Sequence, residues 1–188
     1  ISACGSNATL VVKNNICVMR SLFDQSSCFL LGTDTNLTSN YNDLYGMDGA
    51  SIGEAQAALR LCLRHLREGD RFNVIAFDTR LTSFARAPVP FTQRTLEQAD
   101  AWVGALSADG GTELLAPMLE AIAQVKDGVV VLLTDGQVGN EDEIEREVLA
   151  RRGLARVYSF GIGTSVSDAL LRALARRTGG AVELIHPG

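Results

Sequence analysis

Long apolar runs and any excess of positive charge are missing from this chain of 188 residues, and histidine is scarce, with only two. No stretch reaches the roughly 18 consecutive apolar residues of a membrane-spanning helix. No positively charged segment followed by an apolar core marks a signal peptide. With 17 Lys and Arg against 22 Asp and Glu the formal net charge is −5, so nothing electrostatic favours nucleic acid or an anionic membrane surface. The two histidines, His65 and His186, have no Ser or Cys nucleophile in evident reach, and G-x-S-x-G is absent, which argues against hydrolase chemistry. A Walker G-x-x-x-x-G-K-[ST] is absent too. Repeats and low-complexity tracts are missing, and 46% hydrophobic with 21% charged residues is a globular composition that excludes coiled coil and disorder. At 20.1 kDa the chain suits one domain with one sizeable core.

What is present is unevenly spread. Residues 1–50 hold six Asn, three of the four Cys and one Arg, whereas residues 51–188 hold two Asn, one Cys, fourteen Arg and nineteen Ala. The break near Met47 reads as a fusion, a divergent extension or a sequence artefact. A start at Ile1 and a stop at Gly188 read as a piece excised or processed from something longer. Cys4, Cys17 and Cys28 lack the C-x-x-C spacing of zinc sites, and three cysteines so close allow a disulfide if the protein is exported. Cys62 falls on the apolar face of a helical pattern and is expected to be a buried thiol. Asn7-Ala8-Thr9 and Asn36-Leu37-Thr38 are glycosylation sequons only in a eukaryotic secretory setting.

From residue 51 helix and strand alternate. Ile52, Ala55, Leu59, Cys62, Leu63 and Leu66 recur at helical spacing, and Arg71 to Phe77 reads as a strand with Leu81 to Ala85 returning antiparallel. Pro88-Val89-Pro90 reads as a loop. Two helical stripes follow, Leu96 to Leu106 and Leu115 to Val125. Val129 to Leu133 lacks alternation, as expected of a strand buried on both faces of a parallel sheet. Asn140 with Glu143 forms a capping pattern before Ile144 and Val148. Arg156 to Gly161, a helix over Val166 to Leu174 and a last strand, Ala181 to Ile185, complete a doubly wound α/β pattern. Thr9 to Val12, Ile16 to Met19 and Cys28 to Leu31 are further candidate strands.

Two points on this pattern carry chemistry. Asp109-Gly110-Gly111-Thr112 delivers a hydroxyl before a helix, and the strand ending Thr134-Asp135-Gly136 delivers a carboxylate to the sheet's C-terminal edge, where open α/β sheets bind ligands. A neutral and an anionic oxygen are the donors a magnesium-like ion takes. Each also has a plain structural use, Thr112 as the cap of a helix beginning at Glu113 and Asp135 as a turn residue.

From about Met47 to Gly188 the sequence resembles a von Willebrand factor type A (VWA) domain, and within that family the bacterial proteins similar to inter-alpha-trypsin inhibitor heavy chains. The residues that carry the resemblance are Gly69-Asp70-Arg71-Phe72-Asn73-Val74-Ile75-Ala76-Phe77-Asp78, Asp109-Gly110-Gly111-Thr112-Glu113, Thr134-Asp135-Gly136 with Val138-Gly139-Asn140-Glu141, and Phe160-Gly161-Ile162-Gly163. The resemblance implies a doubly wound, Rossmann-like α/β fold, with a mainly parallel six-stranded sheet, one antiparallel edge strand and helices on both faces. It divides the chain into an atypical segment, 1–46, that supplies the central first strand, with Cys28 to Leu31 the choice, and a VWA domain, 47–188.

It also implies a non-enzymatic module that binds a protein partner through a metal-ion-dependent adhesion site, whose Mg2+ accepts a carboxylate from the partner. An extracellular, periplasmic or cell-surface location is implied on the same ground. Thr112 and Asp135 match two of that site's three loops. The third, D-x-S-x-S, falls on Asn42, Leu44 and Gly46, two of which have no side-chain oxygen. The site is therefore degenerate, or it draws its first-loop donors from Asp34-Thr35-Asn36-Leu37-Thr38, with Asp34 and Asn36 as metal ligands. The rival class is a nucleotide-binding α/β enzyme, on Gly161-Ile162-Gly163-Thr164-Ser165-Val166, although the third glycine of G-x-G-x-x-G is missing.

Overall fold

The computed structural model describes residues 9–13, 16–20, 26–32, 56–57, 59–60, 62–78, 80–106, 113–125, 128–134, 136–162 and 166–185, the first three segments as backbone. β1 (Thr9–Lys13) and β2 (Ile16–Arg20) pair antiparallel as a separate two-stranded sheet. The main sheet contains β3 (Ser26–Gly32), β4 (Arg71–Phe77), β5 (Leu81–Ser83), β6 (Val89–Pro90), β7 (Val129–Thr134), β8 (Arg156–Ile162) and β9 (Val182–Ile185). Its order is β5-β4-β3-β7-β8-β9, with β6 also on β4.

Five of these strands run parallel, while β5 and β6 pair antiparallel with β4. Among the described residues the main sheet thus has seven strands where six were expected. The extra one is β6, read from its prolines as a loop. Two residues at a sheet edge need little from the missing proline N–H, and Val89 and Pro90 fit beside Phe72 and Arg71 below the point where β5 ends.

Period-two alternation sorts the strand side chains into two cores. Phe72 and Val74 of β4, Val129, Val131 and Leu133 of β7, and Tyr158 and Ile162 of β8 face one side. There Leu59 and Leu63 of a helical segment within 56–63 cover them, with Ala99 and Val103 of α1 (Gln93–Gly104). Ile75, Phe77, Val130, Leu132 and Val157 face the other side. These lie under α2 (Leu115–Val125), α3 (Glu141–Arg151) and α4 (Asp168–Thr178). β7 is buried at every position, as its unbroken apolar run requires.

The helix ends have specific chemistry. Thr92 and Thr95 form a reciprocal capping box on α1. Asn140 occupies the N-cap of α3, but its amide donates to Glu143 Oε2 at 3.0 Å and leaves the backbone uncapped, contrary to the pattern read from sequence. α4 ends on Gly179 with φ +76°, and Gly180 N–H reaches back to the Ala175 carbonyl at 2.9 Å, a Schellman closure. Cys62 packs on the first core, and burial pushes its thiol up to about 12.

Candidate functional site

Counted from β3 and leaving out the two-residue β6, the sheet runs third, second, first, fourth, fifth, sixth strand, so chain direction across the sheet reverses between β3 and β7. In open α/β sheets the crevice at such a switch point, beyond the strands' C-terminal ends, is where ligands bind. β3 is the pivot: Leu31 lies opposite both Ala76 and Leu133, and Gly32 opposite Phe77. The slot that the sequence left to Cys28 to Leu31 is held by Ser26–Gly32.

The two flanks of this crevice are firmly seated. On one side β7 ends at Thr134, 3% exposed, and Gly136 is buried just beyond it. Gly136 N–H points to Thr134 Oγ1 at 3.4 Å, and Val138 N–H donates to Ser167 Oγ at 3.1 Å. On the other side Glu113 N–H donates to the Asp78 carbonyl at 3.0 Å, one residue past the end of β4. Both flanking strands adjoin β3, so they stand on the order of 10 Å apart across it. Glu141, Asp142 and Glu143 in the first turn of α3, and Asp168 in that of α4, place acids around the same edge, where helix dipoles favour them.

Thr112, Asp135, Asp34 and Asn36 lie outside the described residues, as do Asn42, Leu44 and Gly46. Their immediate neighbours are described: Glu113 follows Thr112, and Thr134 and Gly136 bracket Asp135. α2 begins at Leu115, and the Leu114 carbonyl accepts the Met118 N–H, so the N-cap is Leu114. The helical stripe read from Leu115 matches this start, whereas the alternative use of Thr112 as a cap supposed a start at Glu113, two residues earlier.

Among the described residues no group of three or more His, Cys, Asp or Glu is placed to hold a metal ion. The donors that the sequence brings to this edge are hydroxyl and carboxylate, a set that suits Mg2+ better than zinc. Ser167 was missed from sequence. Its place before an amphipathic helix is readable, but its bond to Val138, 29 residues earlier, is not.

Gly161, the first glycine of the Gly161-Ile162-Gly163 run, has a packing use. It lies within β8, and a Cβ there would stand 2.8 Å from Leu184 Cδ2 and 3.0 Å from Leu171 Cδ1, so this glycine makes room for α4 and β9. Glu141 and Glu143 stand at the start of α3, and His65 lies in the turn after the helical segment, half-buried. No described helix is long and apolar enough to cross a membrane.

A family model described as the von Willebrand factor type A domain matches residues 46–184. A von Willebrand factor A domain-containing protein of Dictyostelium discoideum is 30% identical over 181 residues, covering 92% of this chain and 22% of its own length. That match reaches well into the first 46 residues, since residues 47–188 are only about three quarters of the chain. The chain spans about a fifth of that curated relative.

Two solved structures share the fold. A von Willebrand factor type A protein from Catenulispora acidiphila has a TM-score of 0.68 at 18% identity, covering 86% of this chain and 38% of that one. Proximal thread matrix protein 1 from the mussel byssus, with a zinc-occupied adhesion-site motif, has a TM-score of 0.61 at 15% identity, covering 87% and 42%. This chain belongs to the von Willebrand factor type A family, whose domains are generally non-enzymatic protein-interaction modules.

Proposed function

We propose that this chain is a non-enzymatic interaction module that engages an acidic side chain of a protein partner at the C-terminal edge of its sheet. Thr112 and Asp135 are the retained donors of an adhesion-type metal site that is incomplete in its first loop. The observation that carries this reading is the switch point: β3 lies between β4 and β7, and the chain neighbours of both donors are fixed on its two sides. In the sequence Thr112 stands two positions before Leu114, whose carbonyl accepts the Met118 N–H at the start of α2. Bound Mg2+ would supply an open coordination position for the partner's carboxylate.

Two side chains instead of a full set hold the ion weakly, with a Kd on the order of 1 mM or about −4 kcal/mol. At 10-fold excess the ion then stabilises the fold by about 1.4 kcal/mol, which raises the melting temperature by roughly 3–6 °C for a domain of this size. Calorimetric titration with Mg2+, and melting with Mg2+ or chelator, test this. The expected shift disappears in Asp135→Ala. A melting temperature indifferent to Mg2+ in the parent chain, and unchanged by Asp135→Ala, sinks the metal reading.

One observation favours a second reading of the first loop. β3 ends at Gly32, and Asp34-Thr35-Asn36-Leu37-Thr38 begins two residues later with oxygens at alternate positions. With Asp34 and Asn36 as donors the affinity rises well above the millimolar range, and Asp34→Ala returns it there. A cell-surface, extracellular or periplasmic location accords with the family and is tested by protease accessibility on intact cells.

A further inference from the structure

Ser167 holds the N-cap position of α4, and its carbonyl accepts the Leu171 N–H at 3.0 Å, as an N-cap carbonyl should. Its side chain does not do the usual work. An N-cap hydroxyl normally accepts an N–H of its own helix from an extended backbone. Ser167 has φ −74° and ψ 68°, makes no side-chain cap bond, and accepts the Val138 N–H at 3.1 Å. The residue is 7% exposed, so water is a poor substitute partner for either group. The helix forgoes its cap, and the loop after β7 gains an anchor.

That loop is held at two further points. Gly136 is buried beside the end of β7, and the Val138 side chain packs on the core beneath α2, α3 and α4. Gly139 and Asn140 beyond it are exposed. The Ser167 bond thus fixes the half-buried Val138, the last residue of this loop that packs on the core, three positions after Asp135 in the sequence.

We propose that Ser167 is the positioning residue of the candidate site: its hydroxyl ties the loop carrying Asp135 to the start of α4 and fixes the backbone on which that carboxylate stands. This role rests on the interaction reading given above. It acts through the loop, not by contact with an ion or a partner.

Amide hydrogen exchange and Mg2+ titration, both followed by NMR on the chain and its Ser167→Ala and Ser167→Thr variants, test it. Exchange of the Val138 amide rises at least tenfold in Ser167→Ala and returns in Ser167→Thr, while the Leu171 amide in α4 is unchanged. Mg2+ affinity, read from the Gly136 and Val138 shifts, falls about tenfold in Ser167→Ala and is restored by Ser167→Thr. Ser167→Cys, with a weaker acceptor, gives the same ordering where Ser167→Ala melts too low to assign. Unchanged Val138 exchange in Ser167→Ala overturns the tether itself. Faster exchange with unchanged Mg2+ affinity overturns the positioning role and leaves a structural bond. A parent chain with no Mg2+ response overturns the interaction reading, and the exchange arm then still judges the tether.

Discussion

Gly180 sits where α4 turns back toward β9, and a Cβ placed there would lie 1.8 Å from the Val157 carbonyl oxygen and 2.6 Å from its carbon. Neither atom can move aside cheaply. Val157 is fully buried in β8, its N–H donates to Thr178 Oγ1 at 2.9 Å, and β8 is paired on one side with β7 and on the other with β9. A clearance of more than an ångström must come from the backbone of a central strand or from the Schellman turn. Overpacking usually costs about 1–3 kcal/mol, and a backbone obstacle puts Gly180→Ala at about 3 kcal/mol or beyond.

For a domain of this size that lowers the melting temperature by roughly 6–12 °C. Gly179 is the control. Its φ of +76° penalises a side chain, but nothing lies within 4 Å of a Cβ there, so Gly179→Ala costs about 1–2 kcal/mol. Urea unfolding followed by the fluorescence of Trp102, the sole tryptophan, measures both. A Gly180→Ala variant no less stable than Gly179→Ala refutes the close approach of turn and strand.

Three further outcomes follow from two buried polar groups and from Cys62, which is partly buried against the first core. Asn73 is fully buried and its amide donates to the Ala85 carbonyl and Gln124 Oε1, both at 2.8 Å, while its oxygen accepts from Val74 and Ala85 N–H at 2.9 and 3.0 Å. Asn73→Ala strands several of these partners and lowers unfolding free energy by about 3 kcal/mol, seen as a lower urea midpoint with unchanged slope. Ser159 Oγ is buried with no hydrogen-bond partner among the described residues, so Ser159→Ala is neutral or stabilising by up to about 1 kcal/mol in the same assay.

The Cys62 thiol, raised from 9.0 to about 12, stays protonated in the folded chain where the unfolded chain ionises. Its contribution to stability is therefore whole below pH 9 and is lost as pH rises from 9 toward 12. Alkylation mapped by peptide mass leaves Cys62 unmodified at pH 8 until urea unfolds the chain. Rapid labelling of the native protein contradicts its burial.

The fold was legible where periodicity was unambiguous. β7 announced itself as five apolar residues without alternation, and α2 was bounded at Leu115 and Val125 by its stripe alone. β6 was hidden because proline reads as loop chemistry, and an edge pairing of two residues leaves no periodic trace. Asn73 was invisible in another way: a polar residue inside a hydrophobic strand has meaning only once the chain of Ala85 and the side chain of Gln124 are brought beside it.

The site divides along the same line. The place of the candidate edge followed from strand order, which a βαβ pattern largely dictates, while the donors proposed there, Thr112 and Asp135, lie outside the described residues. What sequence concealed were the long-range bonds that fix the flanks, Val138 to Ser167 and Glu113 to Asp78, because each joins residues from different loops. The alternative use of Thr112 as a cap rested on a helix start at Glu113, and helical spacing locates a stripe well and its first residue poorly.

The most direct test of the account is where a divalent ion lands. Titration of the isotopically labelled chain with paramagnetic Mn2+, standing in for Mg2+, broadens the amide resonances nearest the ion first. The account predicts early loss at Glu113, Gly136 and Val138, on the two flanks of the crevice beside β3, with Gly153 and Gly179 at the opposite edge unaffected. Broadening centred on that opposite edge, or none at millimolar Mn2+, contradicts a metal-dependent interaction site at the C-terminal ends of the strands.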